Sequence, residues 1–255
     1  MTADLARLRA GALAPLLAAS PSALGECGTD PLARATTLAI ATPEGEGDDF
    51  GVALGGPFVA RELAACATRA IEARKGWPTS RVERGFSVVA DATARGAGVV
   101  AVRDGGPLLY GGASYVRAMI ESATGHAPSA VGDSRHERLR ADVDAAALVV
   151  ASLARADTAE GLRGLAVSAS VGARVELRAH ATCDNEATCA GLAKLALSAQ
   201  DSLGPLARLT WLGAAVSRAT IAARGATLSA RVDVSPEEAR EAIGAVLAAP
   251  AGSAR

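Results

Sequence analysis

What most constrains this chain is a change of hydrophobic period that recurs along it. Stretches in which apolar and polar residues alternate one for one give way to stretches in which apolar residues return every third or fourth position. The first pattern belongs to a half-buried strand and the second to an amphipathic helix. In Gly164 to Gln200, GLAVSASVGARVELRAHATC alternates and a helical pattern follows. Val175, Leu177, Ala179 and Ala181 fall on one side of its second strand, and Arg174, Glu176, Arg178 and His180 on the other, so one face is expected to be buried and one wet. A tight turn near Gly172 joins the strands. Asp184 or Asn185 is placed to cap the helix, with Leu192, Leu195 and Ala199 as its inward stripe.

The same grammar returns at Ala219 to Ala249. A hairpin around Gly225 sets Leu228, Ala230, Val232 and Val234 facing one way; Ser235 then caps a helix with Pro236 in its first position and Glu237 and Glu238 in its first turn. A third copy spans Thr36 to Ala73, where TTLAIAT and FGVALGG flank an acidic loop and lead into ARELAACATRAIEA. A fourth runs from Phe86 to Ala123, with FSVVADA and GVVAVRD, a turn at Asp104 to Gly106, a short LLYG strand and the helix SYVRAMIESA. The fold expected is therefore α+β: duplicated hairpin-plus-helix units forming a mainly antiparallel sheet with helices on one face. TGHAPSAVGDS, Thr124 to Ser134, separates two similar halves, 1–125 and 126–255, which suggests an internal duplication. Each half is expected to open with a helix (Asp4 to Ala18; Ser134 to Val143) leading into a strand (Thr37 to Ala41; Ala147 to Ala151).

Composition narrows the function classes. Half the residues are hydrophobic but only 3% are aromatic, so Ala, Val, Leu and Ile must fill the core, and few rings are left to anchor ligands. Lys+Arg (26) nearly balance Asp+Glu (27) with no block of one sign, which argues against nucleic acid as a partner. Lys75 and Lys194 are the only lysines, and Asn185 and Gln200 the only side-chain amides, a pattern read as composition bias. The longest apolar stretch, Ala145 to Ala154, is far shorter than the roughly 20 residues of a spanning helix. Arg7 and Arg9 before AGALAPLLAAS have the look of a secretion signal, yet Leu5, Leu8, Ala12 and Leu16 keep helical spacing, so an amphipathic helix is expected there.

Four cysteines are present, Cys27, Cys66, Cys183 and Cys189. CDNEATC puts one thiol at a strand end and the next in the first turns of the following helix, where a bridge is sterically reasonable. A Cys27–Cys66 bridge would close a loop of roughly 40 residues, worth about 3–4 kcal/mol in the chain-entropy model. Two disulfides are the expectation; buried free thiols and, more remotely, a metal site are the alternatives. Disulfides persist in oxidising compartments, which places the protein in the periplasm or at the cell surface, delivered by a signal upstream of Met1.

CGTDPLARATTLAIATP at Cys27 to Pro43, a later helix holding Cys66, and HATCDNEATC together resemble a family of exported bacterial proteins that share a CGxDPL element and paired cysteines. The resemblance implies extracytoplasmic residence, by cleaved signal or lipid anchor, and brings with it no catalytic residue.

A search for chemistry finds no activated nucleophile. GGASYV at Gly111 to Val116 lacks the GxSxG spacing, no SxxK precedes either lysine, and neither GxGxxG nor GxxxxGK[ST] occurs. His126, His136 and His180 lie in no ligand-spaced motif and are read as surface or helix-capping residues. EGEGDD, Glu44 to Asp49, is read as a solvated hairpin tip and not a calcium loop. DSRHERLRADVD, Asp133 to Asp144, is read as a solvated helix with Glu137 paired to Arg140 or Arg138. Trp77 is expected to plug a helix exit and Trp211 to enter the core, with either a possible interaction anchor. The expected function is an exported, non-enzymatic structural or binding protein, with no cofactor, no metal, and a protein or small molecule as partner. A hydrolase with a spatially assembled site and an oligomeric scaffold pairing through exposed sheet edges are the alternatives.

Overall fold

The computed structural model describes residues 1–11, 14, 30–42, 49–93, 98–128, 133–141, 143, 147–154, 161–202 and 211–241. In chain order the elements are β1 (Thr2–Asp4), α1 (Leu5–Ala10), α2 (Pro31–Arg34), β2 (Thr37–Ala41), β3 (Gly51–Gly55), α3 (Ala60–Ala73), β4 (Pro78–Glu83), β5 (Phe86–Asp91), β6 (Val99–Val102), β7 (Leu108–Gly111) and α4 (Ala113–Ala123). They continue with α5 (Ser134–Ala141), β8 (Val149–Ala154), β9 (Leu162–Val171), β10 (Val175–Cys183), α6 (Glu186–Asp201), α7 (Trp211–Arg218), β11 (Thr220–Arg224) and β12 (Thr227–Val234). A last helical stretch, α8, covers 236–241. The fold is α+β with antiparallel strand pairing. Two compact units divide it, Met1–Ala6 with Ala19–Gly132, and Arg7–Ala18 with Asp133–Arg255.

In the first unit the strands lie in the order β1-β2-β3-β7-β6-β5-β4. The apolar character of β5 and β6 is continuous, and the structure uses both of their faces. Phe86, Val88, Ala101 and Leu109 meet Val116, Met119 and Ile120 of α4, while Val89 and Val100 meet Ala64, Ala67 and Ile71 of α3. Val88 and Val89 are neighbours in a strand and so point to opposite sides, which puts the two helices on opposite faces of the sheet. The expectation of helices on one face is corrected here: strands without alternation need cover on both sides.

The ends of these helices are closed by distant residues. Neither Val59, before α3, nor Gly112, before α4, offers a capping side chain. Asp104, from the β6–β7 turn, accepts from the Ala60 amide at 2.7 Å, and Asp49 accepts from the Ser114 hydroxyl at 3.1 Å in the first turn of α4. A carboxylate at either position also faces the positive end of the helix dipole. At its far end α3 closes with Lys75 in the left-handed region (φ 63°), the Lys75 amide bonding to Glu72 and the Gly76 amide to Ile71.

In the second unit the order is β11-β12-β10-β9-β8. Both faces are again used. Leu139 of α5, with Val143, covers Val150, Ala154 and Ala166. On the opposite face Val171, Val175, Leu177, Val232 and Val234 meet Leu8, Ala215 and Ala239. The β9–β10 register runs unbroken from Val175↔Val171 to Thr182↔Gly164 and then shifts at Cys183, where the disulfide to Cys189 begins α6 (Cα–Cα 5.7 Å). The helix stripe is also corrected. Cys189 and Ala193 face inward, Leu192 is half-buried, and Leu195 and Ala199 are exposed, because the cross-link fixes which side of α6 looks at the sheet.

The two units share a connectivity. In each, the strand preceding a helix (β3 before α3; β10 before α6) later pairs with the last strand of the unit (β7; β12), and a helix follows directly. Several local expectations are revised. The N-terminal helix begins at Leu5, because Thr2–Asp4 pairs with β2; the rest of its expected span to Ala18 is described only to Gly11 and at Ala14. β4, anchored to β5 from Pro78↔Asp91 to Glu83↔Phe86, was not evident in the alternation, and β8 starts at Val149, two residues later than expected.

Acid sensitivity follows from the carboxylates that hold element ends. Ser235 and Glu238 form a reciprocal cap: each backbone amide donates to the other's side chain, at 2.7 and 3.1 Å, while Arg218 grips Glu238 through both oxygens. The Ser235 amide, then Arg218, lower the Glu238 pKa; the Thr93 hydroxyl and amide, with the Trp77 amide, lower that of Asp91. Arg135 brings Asp133 down to about 2. Each group is depressed on folding. Its stabilisation is therefore complete above the ordinary carboxylate range of about 4 and is lost as pH falls through the folded value. The urea midpoint is expected to be flat above about pH 5 and to fall steadily toward pH 2, with a shallower fall in Glu238→Gln. Equal acid slopes in the two proteins would remove Glu238 from this account.

Candidate functional site

The polar face of the second unit brings together the most chemically capable side chains described. Period two places Ser152 of β8, Ser168 of β9, and Glu176, Arg178, His180 and Thr182 of β10 on one side, joined across β12 by Arg231 and Asp233. α5 lies over part of this side. Its i and i+4 residues His136 and Arg140 both reach Ser152: His136 Nδ1 is 3.0 Å from Oγ, and Arg140 Nε donates to Oγ at 3.2 Å. Since the guanidinium can only donate, the hydroxyl proton is free to point at a neutral His136. The arrangement is a hydroxyl polarised by a cation on one side and a base on the other.

Beyond α5 the face is a ladder of ion pairs. Glu176 takes both Arg178 and Arg231 (3.0 Å to the latter), Arg231 also lies 3.7 Å from Asp233, and Arg174 donates to the Asp233 carbonyl. These are half-exposed pairs worth about 0–1 kcal/mol each, so their contribution is to orient the surface more than to stabilise it. Ser168 differs. It is 2% exposed, and its Oγ has no hydrogen-bond partner among the described residues. Ser168→Ala is expected to leave stability unchanged or raise it by about 1 kcal/mol, because it removes an unsatisfied buried polar atom. A loss of more than that in a urea titration would show that the hydroxyl has a partner.

The other residues singled out from the sequence are dispersed. His126 closes α4, its Nδ1 donating to the Thr124 carbonyl at 3.0 Å, and His180 sits half-buried in β10 with Nε2 shielded from solvent. Cys183 and Cys189 are bridged and Cys66 is disulfide-bonded; Cys27, its expected partner, lies outside the described residues. Trp77 is 68% exposed, so it does not plug the end of α3; its backbone is engaged, the amide donating to Asp91 at 3.0 Å and the carbonyl accepting from the Ala92 amide at 2.9 Å. Trp211 is the first residue of α7, and its side chain lies outside the described residues. Of Glu44 to Asp49 only Asp49 is described, and it accepts from the Ser114 hydroxyl in the first turn of α4. In α5, Arg140 turns to Ser152 and Arg138 to the Ser134 carbonyl, in place of the expected pairing with Glu137. Among the described residues no three His, Cys, Asp or Glu side chains gather as metal ligands, and no helix is long and apolar enough to cross a membrane.

The two side-chain amides both serve helix ends, Asn185 as the cap expected of Asp184 or Asn185, and Gln200 in a role the sequence did not suggest. Asn185 Oδ1 accepts from the Thr188 amide at 2.9 Å to start α6, and Gln200 Nε2 lies 2.8 Å from the Val216 carbonyl, 3.2 Å from that of Ser217 and 3.0 Å from that of Ala219, where α7 ends. One surface groove, about 480 Å³, runs between α6 and β11, lined by Ala190, Ala193, Lys194, Leu197, Ser198, Asp201 and Ala223. No protein-family model matches the chain, and no curated protein or solved structure matches it.

Proposed function

We propose that this is an exported, disulfide-stapled protein of non-enzymatic binding or structural function, built from two duplicated α+β halves. The observation that carries the reading is that α6, a helix that a disulfide anchors to the sheet, holds a leucine in solvent on each flank, Leu195 at 69% and Leu197 at 42% exposed. A rigid helix holding large apolar side chains in solvent suits a partner surface. The bridge between Cys183 and Cys189 and the bonded state of Cys66 support residence in an oxidising compartment, the periplasm or cell surface. The shared order of pairing in the two units supports the duplication. Thiol titration of the unreduced, denatured protein is the test: no reactive thiol is expected, and four would end the export reading.

A second reading, hydrolysis, is favoured by one observation, the Ser152–His136–Arg140 contact. On that reading Ser152 Oγ is the nucleophile and His136 takes its proton. A fluorophosphonate probe should then label the native protein and fail on Ser152→Ala; an unlabelled native protein removes the reading.

A further inference from the structure

We propose that the chain forms a homodimer through the outer edge of β11 and the flank of α6 beside it. The inference rests on the binding reading above and names the partner as a second copy of the chain. β11 ends the strand row of the second unit, and among the described residues its outer edge has no strand beside it. In the first unit the row ends at β4, which is blunted by Pro78 at its start and by Arg81 and Glu83 within it, whereas β11, TIAAR, has no proline and a single charge at its end. An unblunted edge is a template for an added antiparallel strand.

The side chains above that edge say which strand it takes. The groove beside β11 is flanked on α6 by Lys194, Leu197, Ser198 and Asp201. Lys194 and Asp201 are seven residues apart, two helical turns, so they share one side of the helix, with Leu197 and Ser198 between them. Such a stripe, positive at one end, apolar in the middle and negative at the other, is complementary to itself when reversed. Pairing β11 with β11 of a second copy about a two-fold axis reverses α6 in the same operation. It sets Lys194 of each copy against Asp201 of the other and brings the two Leu197 side chains together at the axis. A partner unrelated to the chain would not require this symmetry of charge.

The test is multi-angle light scattering on the full chain over a hundredfold concentration range, with Lys194→Asp, Asp201→Lys and the double exchange. Both sites are exposed, and circular dichroism checks the fold. The native protein is expected at twice 25.4 kDa at the top of the range. Each single reversal should weaken dimerisation by roughly tenfold or more through like charges brought face to face, and K194D/D201K should restore it. A monomer throughout, single variants that dimerise as the native protein does, or a double variant that does not recover would each overturn the inference. None of these results touches the thiol titration, so the dimer and the export reading fail separately.

Discussion

Phe86→Ala is expected to destabilise the first unit by about 3–5 kcal/mol, the largest effect of any single truncation among the described residues. Phe86 is one of only three phenylalanines in the chain, and it is fully buried at the start of β5. Its ring lies in the cluster of Val88, Ala101, Leu109, Val116 and Ile120, and the Arg103 guanidinium stands 5.1 Å from the ring centroid. The surroundings are small aliphatic groups fixed by the β5, β6 and β7 ladders, so they have little freedom to collapse into the space a ring would leave. Removing the ring therefore forfeits its burial, leaves a cavity, and ends a cation–π contact worth about 0.5–1 kcal/mol. Urea unfolding followed by circular dichroism measures the loss, and Leu195→Ala, at an exposed site, supplies the comparison with an expected change within about 0.5 kcal/mol. If the two substitutions shift the midpoint equally, the core of this unit is not where the structure places it.

The same strand shows why the fold was partly legible in the sequence. Where alternation was clean, as in β10 and β12, the facing of Val175, Val232 and Val234 followed from period two alone. The start of α8 at Ser235 followed from its capping signature. In β5 and β6 the apolar run FSVV and VVAV carries no alternation, and that feature encodes cover on both faces; the hairpin grammar obscured it. In α6 the leucine spacing points to the wrong inward side, whereas the Cys183–Cys189 link turns Ala193 inward and leaves Leu195 in solvent. β4 was invisible because an edge strand with one outward face has no need of apolar residues: Val82 in PTSRVE is itself exposed. The Ser152–His136–Arg140 contact could not be read at all. Its members lie 12 and 16 residues apart on a helix and a strand, and only the helix-over-sheet packing joins them.

Gly111→Ala is expected to destabilise on the order of 4 kcal/mol, an effect close to that of the Phe86 truncation but with the opposite cause, excess volume in place of a cavity. Gly111 ends β7 opposite Gly51 of β3, with φ at 153°, in a region that side chains rarely enter. A Cβ there would lie 2.1 Å from the Phe50 carbonyl oxygen and 3.1 Å from the Gly51 Cα, both backbone atoms locked into the β3–β7 ladder, so neither can move aside without breaking strand pairing. The partner glycine is constrained from the other direction, since a Cβ on Gly51 would meet the Tyr115 ring at 2.5 Å and the Met119 sulfur at 3.1 Å. The two glycines thus let α4 and β3 approach, and that approach also brings Asp49 to the first turn of the helix, against Ser114. Gly125→Ala is the informative contrast. Its φ is 76° but nothing lies within 4 Å of the added carbon, so backbone strain alone should cost about 1–2 kcal/mol. Equal losses in the two variants, measured by urea unfolding, would mean that the β3–β7 backbone yields to the added methyl and that close packing there does not decide the stability of the unit.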